Sequence, residues 1–260
     1  MSTTAPAGTG PATEEIAVIT GAGRGLGRST AEHLLARGTR VIGTYRSDEA
    51  AARSLVEAHG ADRVEVLRLD TARTAEYPAF VDAVRAAAAR FGRDRVDYLV
   101  DNAGTALHAS FAETTEEQFD EVLAVHLRAP YFLTQAMLPV LADGGRVLNV
   151  SSGLAHFVVP GSSAYAVMKA GVEVMSRYQA VELGERRIRV NTVVPGAIAT
   201  DFSGGMVRDD PGVNAAVAAS IPLGRVGRPE DVGGAVALLL DDAFGWANGA
   251  TVELTGGQRL

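Results

Sequence analysis

The chain contains no cysteine, which excludes disulfides, thiolate nucleophiles and cysteine-ligated metals. Histidine is scarce as well. The five present, His33, His59, His108, His126 and His156, show no H-x-x-x-H or comparable ligand spacing, so no metal site is expected. Positive charge is in deficit, with 24 Lys+Arg against 31 Asp+Glu, a formal net charge of −7 and a pI near 5.3. With no basic stripe to offset it, that balance argues against nucleic acid or an anionic membrane as the main partner. No apolar run reaches the length of a membrane span. Residues 1–13 lack the basic start and apolar core of a signal peptide and read as a disordered tail. A cytoplasmic protein is expected.

What is present is an ordinary globular composition, 47% hydrophobic and 21% charged, with enough chain for a full core in one α/β domain over residues 14–260. Short β-type runs alternate with helical patterns, and no linker or internal repeat interrupts them, which predicts a Rossmann-type doubly wound fold around a parallel sheet. The expected strands cover residues 15–20, 40–44, 63–69, 95–100, 146–150, 188–194 and part of 248–257. Helices are expected from the glycine turn to about residue 37, over 74–91, from Thr115 to about residue 141, from Ser163, and from Pro229.

The chemistry concentrates after the strand at 146–150. Ser152 sits where that strand ends, which is where open α/β sheets place their sites. Tyr165 and Lys169 follow at helical spacing, one turn apart on one face. A tyrosine ordinarily titrates near pH ~10, and a fixed cation beside it favours the phenolate, so the pair is expected to yield a phenol of lowered pKa able to act as a general acid or base. The bland reading is a packed tyrosine and a solvated lysine on an amphipathic helix. A second motif, Gly21-Ala-Gly-Arg-Gly-Leu-Gly27, lies between the first strand and the first helix. Glycines there let the backbone approach a pyrophosphate, and the helix N-terminus supplies N–H donors.

Ser152, Tyr165 and Lys169, the T-G-x-x-x-G-x-G pattern at Thr20–Gly27, and Asn102-Ala-Gly104 together resemble the short-chain dehydrogenase/reductase (SDR) family, and within it 3-oxoacyl-ACP reductase-like members. The resemblance spans roughly residues 14–260. It implies an NADP(H)-dependent reductase of a ketone, aldehyde or 3-oxoacyl group. Tyr165 would exchange the proton, Ser152 would hold the carbonyl oxygen, and Lys169 would act on both the tyrosine and the nicotinamide ribose. The cofactor would rest on Gly21, Arg24, Gly25, Leu26 and Gly27, on Asp70 and Thr71 at its adenine, and on Asn102, Ala103 and Gly104. Pro195, Gly196, Ile198 and Thr200, in P-G-x-x-x-T, would close over the nicotinamide.

Cofactor choice is expected at the end of the second strand, where a carboxylate suits a ribose 2′-hydroxyl and an arginine suits a 2′-phosphate. Tyr45 and Arg46 stand there, with Arg24 across the loop, favouring NADP(H); Asp48 is the acid that counts the other way. Two positions depart from the family pattern. Asp101 replaces the first asparagine of N-N-A-G, and, unlike an amide, a carboxylate cannot donate a hydrogen bond. His126 replaces the asparagine that usually completes a tetrad with Ser, Tyr and Lys; it either keeps a place in the proton relay or is only packed. Residues 201–225, with Leu154, His156 and Val158, are expected to shape the substrate pocket. The partners expected are a small carbonyl or alcohol substrate and further copies of the chain, in a tetramer or dimer. Three alternatives remain open: an NAD(P)-dependent alcohol dehydrogenase working in the oxidative direction, a nucleotide-binding regulatory protein with weak turnover, and a sugar-nucleotide epimerase or dehydratase.

Overall fold

In the computed structural model, residues 15–259 are described; the expected tail over 1–13 lies outside them. The strands are β1 (Ile16–Ile19), β2 (Arg40–Tyr45), β3 (Val64–Arg68), β4 (Val96–Asp101), β5 (Leu141–Val150), β6 (Arg189–Pro195) and β7 (Thr251–Leu254). They form a seven-stranded sheet of order β3-β2-β1-β4-β5-β6-β7, parallel at every pairing. The order reverses beside β1, between β2 and β4. A crevice opens there at the carboxyl ends of the strands, as doubly wound sheets require.

Helices α1 (Gly25–Ala36), α2 (Glu49–His59), α3 (Tyr77–Arg90), α4 (Glu116–Leu123), α5 (Ala129–Met137), α6 (Ser163–Glu182), α7 (Met206–Asp209), α8 (Pro211–Ala218) and α9 (Pro229–Leu239) supply the covering layers and the segment beyond β6. One core cluster joins Ile16, Val18 and Leu99 of the sheet to Phe80 and Val84 of α3 and to Leu133 and Met137 of α5. On the other face Ala17, Ile19 and Val100 meet Leu34 and Leu35 of α1, Leu55 of α2 and Val236 of α9. Strand residues buried on both faces explain why β1 reads as an unbroken apolar run rather than an alternating one. Each fully buried leucine or isoleucine contributes about 1.5–3 kcal/mol relative to exposure.

Three boundaries differ from the sequence reading. The helix expected from Thr115 to about residue 141 ends at Met137, and Leu141 opens β5. That helix is also interrupted by a π-turn at Ala124–Arg128, which carries His126. The third difference is in residues 201–225, for which no helix was expected and which contain α7 and α8; Asp210 accepts hydrogen bonds from the N–H groups of Gly212 and Val213 and so caps α8. Among the described residues no helix is long and apolar enough to cross a membrane.

Candidate active site

A cavity of ≈ 320 Å³ occupies the crevice. Of the residues predicted for the site it is lined by Gly21, Arg24, Gly25, Leu26, Tyr45, Arg46, Thr71, Asn102, Ala103, Gly104, His126, Ser152, Tyr165, Lys169, Pro195, Gly196, Ile198 and Thr200. Two are not on its wall. Gly27 is buried in the first turn of α1 against the Gly21 carbonyl. Asp70 turns its carboxylate to the Ala72 N–H (3.1 Å) and to Arg73 (3.3 Å). The expected pocket residues Leu154, His156 and Val158 are not on its wall either; the His156 ring is held instead by Glu173 and Glu253. From residues 201–225 only Asp201 and Phe202 reach the wall.

The glycine loop turns through positive φ at Gly21 (70°) and Gly25 (55°) and delivers the chain into α1. Arg24 occupies the N-cap without a capping side chain, and the first turn holds no acid, so the free N–H groups and the positive helix end face the cavity. Among the described residues neither the Arg24 nor the Arg46 guanidinium has a hydrogen-bonding or acidic partner, and both are exposed on the wall. Asp48, the acid that argued for a ribose hydroxyl, caps α2 by accepting the Ala51 N–H at 3.0 Å. Donors, helix dipole and two unpaired cations suit a ligand carrying several phosphates, the 2′-phosphate of NADP(H) included.

The loop is braced from β4. Asn102 donates through Nδ2 to the carbonyls of Thr20 (2.8 Å) and Gly21 (3.3 Å), while the N–H groups of Asn102 and Ala103 both donate to Thr20 Oγ1 (2.9 Å each). Sequence reasoning assigned Thr20 no role beyond the motif. Its place, at the threonine immediately before the glycine turn, is the signal that was available. Ser151 is a second omission: its hydroxyl has the Lys169 carbonyl (3.0 Å) and a Glu173 carboxylate oxygen (2.7 Å) as acceptors for its one proton, tying the end of β5 to α6.

Tyr165 and Lys169 lie on the buried face of α6. Ser152 shares the cavity wall with the Tyr165 phenol, and Lys169 Nζ stands 5.7 Å from its ring centre while donating to the Val150 carbonyl at 2.7 Å. The expected lowering of the phenol is not found. Burial pushes it up to about 12, with the neighbouring Ser152 hydroxyl acting against that rise. The cation is itself costly to bury, and its proton is loosened to about 8, with Asp101 helping to retain it. At neutral pH the phenol is therefore an intact acid.

His126 packs edge-on against the Tyr165 ring, with centroids 4.9 Å apart at 80°. Its Nε2 lies 2.7 Å from the Thr105 carbonyl oxygen and 3.2 Å from the Thr105 backbone nitrogen. Burial, and then the charge of Lys169, lower its pKa to about 3, so the ring is neutral. The glycine at position 104 is required here, since a Cβ would come within 2.8 Å of His126 Cε1. Asp101 does not lie on this wall; it is buried and accepts a hydrogen bond from Thr134 Oγ1 at 3.1 Å. Among the described residues no cluster of three or more His, Asp or Glu could hold a metal ion.

A crevice at the switch point of a doubly wound sheet, with a phosphate-type loop on one side and Ser152, Tyr165 and Lys169 on the other, defines a nucleotide-dependent class of protein. The model of the family described as "Enoyl-(Acyl carrier protein) reductase" matches residues 21–259. The chain is 35% identical to the hydroxynaphthalene reductase-like protein Arp2 of Metarhizium brunneum, over 94% of each chain. It is similar in structure to the promiscuous reductase LugOII, said to catalyse keto-reduction at C1 during lugdunomycin biosynthesis (TM-score 0.88, 32% identity, 95% of this chain and 99% of that one). It is also similar to the angucycline C-6 ketoreductase LanV with bound NADP (TM-score 0.86, 31% identity, 94% and 95%). The chain belongs to the short-chain dehydrogenase/reductase family and is an oxidoreductase of that family.

Proposed function

We propose that the protein reduces a ketone, aldehyde or 3-oxoacyl carbonyl to the alcohol with NADPH, through Ser152, Tyr165 and Lys169. The observation that carries this reading is one cavity bearing both a protonated Tyr165 beside Ser152 and the unpaired cations Arg24 and Arg46. The glycine loop, the first turn of α1 and the two arginines would hold the phosphates, and residues 195–200 would lie beside the nicotinamide. When bound, NADPH supplies the hydride.

Ser152 donates a hydrogen bond to the substrate oxygen and fixes it beside Tyr165. The phenol gives that oxygen its proton as negative charge develops there, a transfer for which an acid intact at neutral pH is suited. Lys169 then stabilises the phenolate left behind. Phe202, half exposed on the cavity wall with its ring 6.0 Å from that of Tyr165, offers an aromatic face for a flat substrate. Together with the similarity to a hydroxynaphthalene reductase-like protein and an angucycline ketoreductase, this argues for including fused-ring aromatic ketones in the panel to be tried. The test is to mix purified protein with NADPH and a panel of ring ketones, aldehydes and 3-oxoacyl thioesters and follow the reduced-nicotinamide absorbance. Substrate-dependent loss of that absorbance is expected; a flat trace across the panel, with NADPH shown to bind, would reject the reading.

A further inference from the structure

A second, much smaller cavity of ≈ 10 Å³ adjoins the site, with room for about one water molecule; Asp101, His126, Asn149 and Lys169 are among the residues that line it. His126 and Lys169 line both cavities, whereas Asp101 and Asn149 line only the small one. The sheet creates this arrangement. Asp101 ends β4 and pairs in register with Asn149 of β5, and the next residue along, Val150, supplies the carbonyl to which Lys169 Nζ donates. The Asp101 carboxylate at the end of β4 and the Lys169 ammonium, reaching from α6 to the end of β5, thus line one small cavity, 9% and 5% exposed. Two buried polar atoms of the same lining residues, His126 Nδ1 and Asn149 Oδ1, have no partner among the described residues, as a site for a bridging water would require.

A buried ammonium without a counter-charge tends to lose its proton. The groups around Lys169 are Tyr165 and Glu173 on its own helix, neutral His126 on the π-turn, and Asp101 on β4. Glu173 is committed to Ser151 and His156. Burial pushes Asp101 up to about 7, against the Thr134 hydrogen bond and the charge of Lys169; once ionised, its carboxylate is the anion whose charge raises the pKa of Lys169 against burial. Behind Asp101 stand Thr134 on α5 and the Tyr77 phenol at the start of α3, the latter also facing Asp70.

We propose that Asp101 is a positioning residue for Lys169: seated outside the large cavity, across a water-sized space, its carboxylate keeps the amine charged and directed at the Val150 carbonyl without touching cofactor or substrate. The attraction between the two charges opposes part of the cost of burying each of them. The inference rests on the role given to Lys169 above, but its test reads the amine alone.

Lys169 is the chain's single lysine, so protein grown on lysine labelled with carbon-13 at Cε gives one side-chain signal, whose shift follows the protonation of that amine. Asp101→Asn, which restores the amide usual in the family, is expected to lower the midpoint of this titration by about one pH unit or more, the effect of removing a nearby opposite charge. An unchanged midpoint in the folded variant would overturn the proposal. Should Asp101→Asn fail to fold, Thr134→Val serves instead. Losing the hydroxyl donor lets Asp101 take up its proton at higher pH, so the Lys169 midpoint falls by a smaller amount, and no fall again overturns it. Neither outcome depends on carbonyl reduction: a shifted midpoint with no turnover on any carbonyl would reject the proposed function and leave the Asp101 assignment standing.

Discussion

At Tyr165 and His126 the same cause, burial, sets two protonation states in opposite senses: the phenol is pushed up to about 12 and the imidazole down to about 3. For His126 this has a consequence for stability. The unfolded chain takes up a proton near pH ~6.5 that the folded chain refuses until far lower, so the folded state loses stability as pH falls below ~6.5. Chemical denaturation at pH 7 and pH 5 should show a loss roughly 1–2 kcal/mol smaller in His126→Asn than in the unmodified protein; equal losses would show that the histidine is not held neutral. Activity of the same variants decides its role. If His126 takes part in the proton relay, His126→Asn keeps turnover and His126→Leu loses it, whereas near-normal rates in both identify a packing residue. At the phosphate end, Arg46→Asp removes an unpaired cation and adds repulsion. NADPH affinity, read by fluorescence titration, should fall about ten- to a hundredfold. An unmodified protein that already binds NADH as tightly as NADPH would contradict the assignment.

Helix α1 presents the glycine loop to the cavity, and its seat is α9. The two approach so closely at Gly233 that an added Cβ would lie 2.4 Å from Ser29 Oγ and 2.6 Å from the Ser29 carbonyl carbon. Gly233→Ala must therefore move the helices apart, at a cost of about 1–3 kcal/mol, read as a lower melting temperature together with weaker NADPH binding. A melting temperature equal to that of the unmodified protein would show that the contact relaxes freely. Most of this frame was legible in the sequence, because β1 is an unbroken apolar run, β4 and β6 are rich in valine, and the strand–glycine turn–helix order has one common structural solution. What was not legible depended on three-dimensional neighbours. Asp48 could be read as a ribose ligand until its carboxylate was seen capping α2. The π-turn that places His126 leaves no signal in hydrophobic periodicity. The rise of the Tyr165 phenol is set by desolvation, which the spacing of tyrosine and lysine does not encode, and Asp70 matched a motif although its carboxylate turns back on its own loop.

Across the whole molecule, the outer faces of α5 and α6 carry more apolar surface than a lone chain needs. Tyr131 and Phe132 on one, and Tyr178 and Val181 on the other, are exposed by between 44% and 80%, which supports the proposal that copies of the chain pack through these helices as a tetramer or dimer. Sedimentation at micromolar concentration should show an oligomer, and Tyr178→Glu should shift it towards smaller species; a stable monomer for the unmodified protein would sink the idea. The claim on which the functional account turns is that Tyr165 is the proton donor of an NADPH-dependent reduction. Its most direct test is Tyr165→Phe, shown by circular dichroism to be folded and by fluorescence to bind NADPH, compared with the unmodified protein on the best carbonyl of the panel. Turnover should drop by about two orders of magnitude or more with cofactor binding intact; reduction at the unmodified rate would contradict the account.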